Sequence, residues 1–200
     1  GALTILGKIA PMMATPEIFK NGLEFTETYY HRAGITLAAE PSGFPSKPIQ
    51  ESINAVYSDD ATPFNHLFMA DGKSLALANQ GDPTQLIAES EKVLSWGRGR
   101  TAYMPKQVKL LADGAIFSQL MMMKDGYTDG HHGAWIMDPP LLAELEKAMA
   151  RKPSKDHRTV LVHFGFARPE QVKRWIELGG IVSSNPYYTT ALAGRYVSSV

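Results

Sequence analysis

Residues Val108–Gly114 have the sequence Val-Lys-Leu-Leu-Ala-Asp-Gly, in which a lysine stands inside an apolar run that ends at an Asp-Gly turn. The apolar residues predict a buried strand, yet lysine is almost never fully buried without a partner. Burial disfavours the charged ammonium and lowers the pKa of the amine. A neutral lysine can act as a general base, form a Schiff base, or react with carbon dioxide to give a carbamate that bridges two metal ions.

A second apolar run, Thr159–Gly165, ends in a comparable way, with His163 just before a phenylalanine and a glycine. A lysine and a histidine at the ends of two strands are the beginning of a metal site. Each residue also has an ordinary explanation. Lys109 could extend its charge into water from an edge strand, and His163 could be a core histidine with its hydrogen bonds satisfied.

The composition excludes several classes of protein. The chain has 200 residues with 44% hydrophobic and 20% charged residues, a formal net charge of zero and no cysteine. Such values are ordinary for one globular domain, or part of one, and indicate neither a nucleic-acid partner nor a membrane partner. Disulfides, thiolate zinc ligands and cysteine nucleophiles are excluded, so any metal must be held by His, Asp, Glu or a modified Lys. We expect a cytoplasmic protein.

Strands alternate with helices along the chain, which favours an α/β fold with a parallel sheet. The N-terminal sequence, which lacks an initiator methionine, predicts a cut inside a longer chain. Apolar spacing and capping residues predict the elements that follow. The predicted helices are Pro16–Arg32, Lys47–Tyr57, Thr84–Trp96 (with Thr84 as N-cap), Pro139–Arg151 and Arg168–Leu178, and the predicted strands are Ile35–Ala39, Asn65–Ala70, Val108–Ala112, Thr159–Gly165 and Ile181–Pro186.

Several phrases, taken in order, resemble the amidohydrolase superfamily, in the branch (amidohydrolase family 3) that includes the N-substituted formamide deformylases. Val108–Gly114 resembles the fourth-strand motif of that branch, and Asp156–His163 resembles its sixth-strand motif. Ala33–Thr36 is similar to the second strand, and Leu178–Pro186 is similar to the seventh. The resemblance covers most of the chain and implies a partial or gapped (β/α)₈ TIM-type barrel of the metal-dependent hydrolase kind.

The chain departs from that pattern in three places. The His-x-His of the first strand is absent, the fifth-strand phrase would fall between Arg151 and Asp156 and is missing, and the final aspartate would lie beyond Val200. We therefore expect residues 1–200 to be the central part of a single barrel domain, with a missing segment between about 151 and 156. The isolated piece is expected to be inactive.

The resemblance implies the site residues. Lys109 would be a carboxylated lysine and His163 a metal ligand, around one or two divalent ions, zinc being the first choice. Asp113 and Gly114 follow the lysine and are candidates for substrate binding, although Asp-Gly is a common turn. His132 lies in a glycine-rich loop that is either solvated or in contact with substrate.

The implied activity is that of a metal-dependent hydrolase acting on carbon–nitrogen bonds other than peptide bonds, which cleaves an amide-type bond of a small molecule with a metal-activated water. The expected partner is that substrate, with no nucleic acid and no membrane, and a homo-oligomer is compatible with the sequence. The alternative is a degenerate, non-catalytic barrel or a small-molecule binding domain that lacks the metal ligands. A metal-free Schiff-base enzyme built on Lys109 is a third reading.

Overall fold

The computed structural model describes residues 8–9, 15–43, 46–79, 82–140, 143 and 158–198. The chain divides into two compact units, Gly1–Leu110 (unit 1) and Leu111–Val200 (unit 2). Each unit combines helices with a small parallel sheet. The structure is therefore mixed α/β, while the gapped barrel stays a prediction.

Unit 1 contains a three-stranded sheet whose neighbouring strands are parallel and follow chain order, β1-β2-β3. Helices lie in both connections between these strands, as is usual for parallel pairs. The elements of this unit are α1 (Pro16–Arg32), β1 (Leu37–Gly43), α2 (Lys47–Tyr57), β2 (Asn65–Asp71), α3 (Gly72–Ala78), α4 (Pro83–Val93), a 3₁₀ turn (Leu94–Trp96) and β3 (Thr101–Lys109).

Local signals explain where the helices of unit 1 begin. Thr15 accepts a hydrogen bond from Ile18 N at 3.2 Å and caps α1, the helix predicted with the same bounds. The predicted cap of α4, Thr84, is wrong. Asp82 is the cap, because its carboxylate accepts from Thr84 N at 2.8 Å and a proline follows it at the first helical position.

The core of unit 1 is aromatic. Phe64, Phe68 and Tyr57 are almost fully buried, and the Tyr57 and Phe64 rings meet edge to face with centroids 5.1 Å apart. Burial raises the pKa of Tyr57 to about 12, and the Tyr57 hydroxyl donates to Leu23 O of α1. The hydroxyl bond joins α2 to α1, and the ring contact joins α2 to the residue that precedes β2.

A buried polar network attaches β3 to α2. Asn54 Oδ1 accepts from Thr101 Oγ1 at 2.6 Å and from Gln50 Nε2 at 2.9 Å, and Gln50 Oε1 accepts from the Tyr103 hydroxyl at 3.1 Å. Buried polar groups need such partners, because an unpaired one costs about 1–3 kcal/mol. The network therefore fixes the beginning of β3, which lies upstream of the predicted strand.

The strand that carries Lys109 is Thr101–Lys109, so the prediction of a strand over Val108–Ala112 is wrong. Phe68 pairs with Tyr103, but Ala70 pairs with Val108, so β3 bulges over residues 104–107. Within the bulge Lys106 has φ +58°. β2 ends at Asp71, whose carboxylate caps α3 by accepting from Lys73 N. Because β2 turns into α3 at this point, the residues after Lys109 have no β2 residue to pair with, and β3 ends.

Unit 2 contains a two-stranded parallel sheet and short helices. Trp175 Nε1 donates to Ile181 O at 3.0 Å and ties the helix between the strands to the start of the second strand. The elements are a 3₁₀ turn (Ile116–Ser118), β4 (Val160–His163), α5 (Pro169–Glu177), β5 (Ile181–Ser184), a π-helical turn (Tyr188–Leu192) and α6 (Ala193–Tyr196).

Two predictions fall largely outside the described residues. They are the helix over Pro139–Arg151 and the missing segment between about 151 and 156. Over the part of the chain that the structure covers, no helix combines the length and the apolar character needed to cross a bilayer.

Candidate functional site

Lys109 is the last residue of β3 and is half-buried in unit 1. Burial lowers the pKa of its amine. Its partner in the sheet is Asp71, the last residue of β2. A Cβ on Gly72 would lie 3.0 Å from Lys109 O and 2.7 Å from Leu110 Cδ2, so this glycine lets α3 start against the end of β3. Lys109 thus lies at the carboxyl end of a parallel strand, where the active sites of α/β proteins lie.

His163 is the last residue of β4, and its neighbour in register is Ser184, the last residue of β5. The side chain is exposed. The backbone has φ +74° at His163 and φ +44° at Phe164. Two successive residues other than glycine in the left-handed region are uncommon, and strain of this kind clusters at functional sites.

Tyr188 contacts His163, and this contact was not predicted from the sequence. The hydroxyl oxygen of Tyr188 and Nδ1 of His163 are 2.7 Å apart, and the ring centroids are 6.0 Å apart. The sequence signal that could have indicated this contact is the turn at Asn185 and Pro186, directly after β5. A turn at a strand end returns the chain toward the neighbouring strand, which here is β4.

The loop after Lys109 is held by hydrogen bonds within unit 2. Asp113 accepts from Met122 N at 2.8 Å and forms an antiparallel bridge with Trp135. Gly114 N donates to Ala134 O at 2.9 Å. A Cβ on Gly114 would lie 2.3 Å from Leu120 Cβ, so a larger residue does not fit. Both predicted substrate residues therefore help to hold the loop, and their contact with substrate stays a prediction.

His132 belongs to the same loop and has a similar role. Its Nδ1 lies 3.1 Å from Met123 O, while Met123 N donates to His132 O at 2.9 Å. The adjacent His131 stacks on the buried Tyr127 with ring centroids 4.5 Å apart. Asp113, Gly114 and His132 are thus brought together in one loop.

The beginning of that loop lies beside the end of β4. A Cβ on Gly165 would be 3.0 Å from Ile116 Cδ1 and 3.9 Å from Tyr188 Cδ2. Unit 2 consequently places His163, Tyr188 and the start of the candidate substrate loop close together. Lys109 belongs to unit 1, and its sharing of a site with His163 stays a prediction.

The two candidate donors, an imidazole and a carbamate oxygen, are of the types that bind divalent ions such as zinc. The contact with Tyr188 engages Nδ1 of His163, so Nε2 is the nitrogen that could bind an ion when the proton is on Nδ1, and a lysine with a lowered pKa can be converted to a carbamate. Across the described residues, no group of three His, Asp or Glu side chains converges in a way that could hold a metal. Lys109 in unit 1 and His163 in unit 2 are therefore separate candidate donors.

The chain matches no protein-family model, no curated protein and no solved structure.

Proposed function

We propose that the chain is part of a metal-dependent amidohydrolase that cleaves a carbon–nitrogen amide-type bond of a small molecule. The observation that carries this proposal is the position of Lys109 at the carboxyl end of a parallel strand. The residue is half-buried, and burial lowers the pKa of its amine. The chain-order sheet β1-β2-β3 supports it, because a βα barrel is built from strands in that order. We also propose a cytoplasmic location, in keeping with the absence of cysteine.

The proposed role of Lys109 requires the neutral amine. The nitrogen lone pair attacks carbon dioxide, a proton leaves, and the product is a carbamate with two oxygens and one negative charge. Burial favours this reaction, because it lowers the pKa of Lys109 and raises the neutral fraction of the amine. The two carbamate oxygens could each bind an ion, which an unmodified amine cannot do.

His163 would supply an imidazole nitrogen to one ion, and the ring is held through Nδ1 by Tyr188. A bound divalent ion supplies Lewis acidity to amide hydrolysis. In this proposal the loop that contains Asp113, Gly114 and His132 contacts the substrate, since Ile116 at its beginning is close to Gly165. A loop held by its own hydrogen bonds beside the proposed ligand is suited to orient a small molecule.

The proposal is tested by measuring bound zinc and hydrolysis together. Because the resemblance implies a longer enzyme, hydrolysis of small N-substituted amides is measured in that enzyme. Bound zinc is measured both in the longer enzyme and in the 200-residue chain. Lys109→Ala and His163→Ala should each lower bound zinc and hydrolysis in parallel, on the order of tenfold or more. Added acetate should partly restore Lys109→Ala, because it replaces the lost carboxylate.

Two control variants and a chelator complete the test. Lys106→Ala removes an exposed lysine from the same strand, and His31→Ala removes an exposed histidine from α1. Both should leave bound zinc and hydrolysis unchanged. Full activity in a metal-free preparation, or a borohydride-trapped adduct of substrate on Lys109, would refute the mechanism. Binding of the amide without zinc or hydrolysis would instead favour the degenerate binding domain.

A further inference from the structure

We propose that Tyr188 is a positioning residue for His163. Its hydroxyl oxygen accepts a hydrogen bond from Nδ1–H of the imidazole, so that Nε2 carries the lone pair and is offered to a divalent cation. The inference rests on the proposed function for the identity of the cation, but the state of the ring can be measured without any metal. The 2.7 Å separation of the hydroxyl oxygen from Nδ1 is that of a good hydrogen bond.

The backbone after β5 brings Tyr188 to this position. His163 and Ser184 are paired at the ends of β4 and β5, so the residues after Ser184 leave the sheet beside the histidine. Asn185 then forms a turn, in which its carbonyl accepts from Tyr188 N at 3.1 Å and its side chain accepts from Tyr187 N at 3.0 Å. The tyrosine is thereby held by local hydrogen bonds.

The space around the pair accommodates the tyrosine ring. A Cβ on Gly165 would lie 3.9 Å from Tyr188 Cδ2, so the ring packs over a residue without a side chain. His163 is exposed, and an exposed imidazole with no partner samples several side-chain rotamers. The hydroxyl contact restricts the ring to orientations that keep Nδ1 directed at Tyr188.

The hydrogen bond at one ring nitrogen determines which nitrogen can bind a cation. A neutral imidazole carries one proton, and the nitrogen without it is the acceptor or the metal ligand. A tyrosine oxygen that accepts from Nδ1–H leaves Nε2 free of its proton. The reverse arrangement, in which the hydroxyl donates to Nδ1, would leave the proton on Nε2 and block that atom. The proposal therefore requires one tautomer of His163.

The tautomer is measured on the ¹⁵N-labelled chain by long-range ¹H–¹⁵N NMR, in alkaline metal-free buffer where imidazoles are neutral. In the wild type His163 should show the Nδ1–H tautomer, and Tyr188→Phe should shift it toward the Nε2–H tautomer. Tyr187→Phe removes the same atom from the exposed neighbouring tyrosine and should leave the spectrum of His163 unchanged. A wild-type Nε2–H tautomer, or an unchanged tautomer in Tyr188→Phe, would overturn the proposal.

Zinc titration of the same samples separates this inference from the proposed function. Zinc should perturb Nε2 of His163 in the wild type and in Tyr187→Phe, and the affinity should fall about tenfold or more in Tyr188→Phe. Equal affinities in all three proteins would overturn the positioning role. A wild-type Nδ1–H tautomer that zinc does not perturb would support the hydrogen bond and count against His163 as a ligand.

Discussion

At the scale of single residues, His66 shows what burial does to a polar group in unit 1. Its ring stacks on Phe68 with centroids 4.5 Å apart and lies 5.5 Å from the ring of Tyr57. Its Nδ1 is buried and has no hydrogen-bond partner among the described residues. Burial lowers the pKa of His66, because the aromatic surroundings disfavour the charged imidazolium. The fold therefore disfavours protonation of this histidine.

We predict that His66→Phe removes a pH-dependent loss of stability. The pKa of His66 is below the ordinary value of about 6.5 in the fold, so the unfolded state takes up the proton first as pH falls. The stability that this histidine contributes is present above about pH 6.5 and is lost as pH falls toward its folded pKa. Urea unfolding at about pH 8 and pH 5 should show a smaller decrease in the variant than in the wild type.

The size of the effect at alkaline pH is also predictable. The phenylalanine keeps the stack and removes the unpaired nitrogen, so the free energy of unfolding should rise by about 1 kcal/mol. His31→Phe makes the same substitution at an exposed position of α1 and should keep the wild-type decrease in stability at low pH. An identical decrease in His66→Phe and the wild type would show that the half-buried ring does not titrate with folding.

At the scale of elements, α1 shows how a helix without fully buried residues is held. It has a Thr15 cap and an ion pair between Lys20 and Glu24, and partly buried Phe19 and Leu23 pack against the core. Exposed ion pairs of this kind contribute about 0.3–0.5 kcal/mol. Helix propensity therefore matters for the stability of α1, and Gly22 in its interior is a weak point.

Gly22→Ala should stabilise the protein by about 0.5–1 kcal/mol. A Cβ at this position meets nothing within 4 Å, and alanine loses less conformational entropy in a helix than glycine does. The midpoint of urea unfolding should rise accordingly. A lower midpoint would mean that the helix tolerates no side chain at this position.

Gly99→Ala is the matched contrast, because the same methyl group is added where it cannot fit. The residue has φ +55°, and a Cβ would lie 2.0 Å from Ser58 O, a backbone atom. Unfolding should occur at a clearly lower urea concentration, with a loss of more than about 1 kcal/mol. If the midpoint of urea unfolding changed in the same direction in both variants, the space around the two glycines would not explain the effect of the substitutions.

At the scale of the whole molecule, the two units differ in how they bury apolar side chains. Unit 1 has a cluster of buried aromatic and aliphatic residues that includes Phe64, Phe68 and Tyr103. In unit 2 both strands of the sheet expose aliphatic residues, for example Val160 and Ile181, each more than two-fifths exposed. Apolar burial is the main favourable term in folding. The sheet of unit 1 should therefore be the more stable of the two.

Hydrogen exchange followed by mass spectrometry tests this difference. Amides of β2, the central strand of the three-stranded sheet, should exchange most slowly, because they open only with the whole of unit 1. Amides of β4 and β5 should exchange faster, since few buried contacts oppose their local opening. Equal protection of β2 and β4 would contradict the assignment of stability to unit 1.

The sequence is sufficient for the features that depend on neighbouring residues. The bounds of α1 and α2 were predicted correctly, because helix periodicity, proline at the first turn and the residues beyond the last turn act within a few positions. His163 was predicted to lie at the end of its strand and is the last residue of β4. Lys109 is the last residue of β3, although the predicted strand continued to Ala112. A polar residue that closes an apolar run, as His163 does, is a local signal of this kind.

The remaining features depend on contacts between distant residues, which no local pattern contains. The start of β3 is set by hydrogen bonds from Thr101 to Asn54, and its end by a bulge and by Asp71 as the cap of α3. The hydroxyl of Tyr188 reaches His163 because β4 and β5 are paired in one particular register. Strand register and side-chain proximity result from the packing of the whole unit, so they are visible in the folded chain and absent from its periodicity.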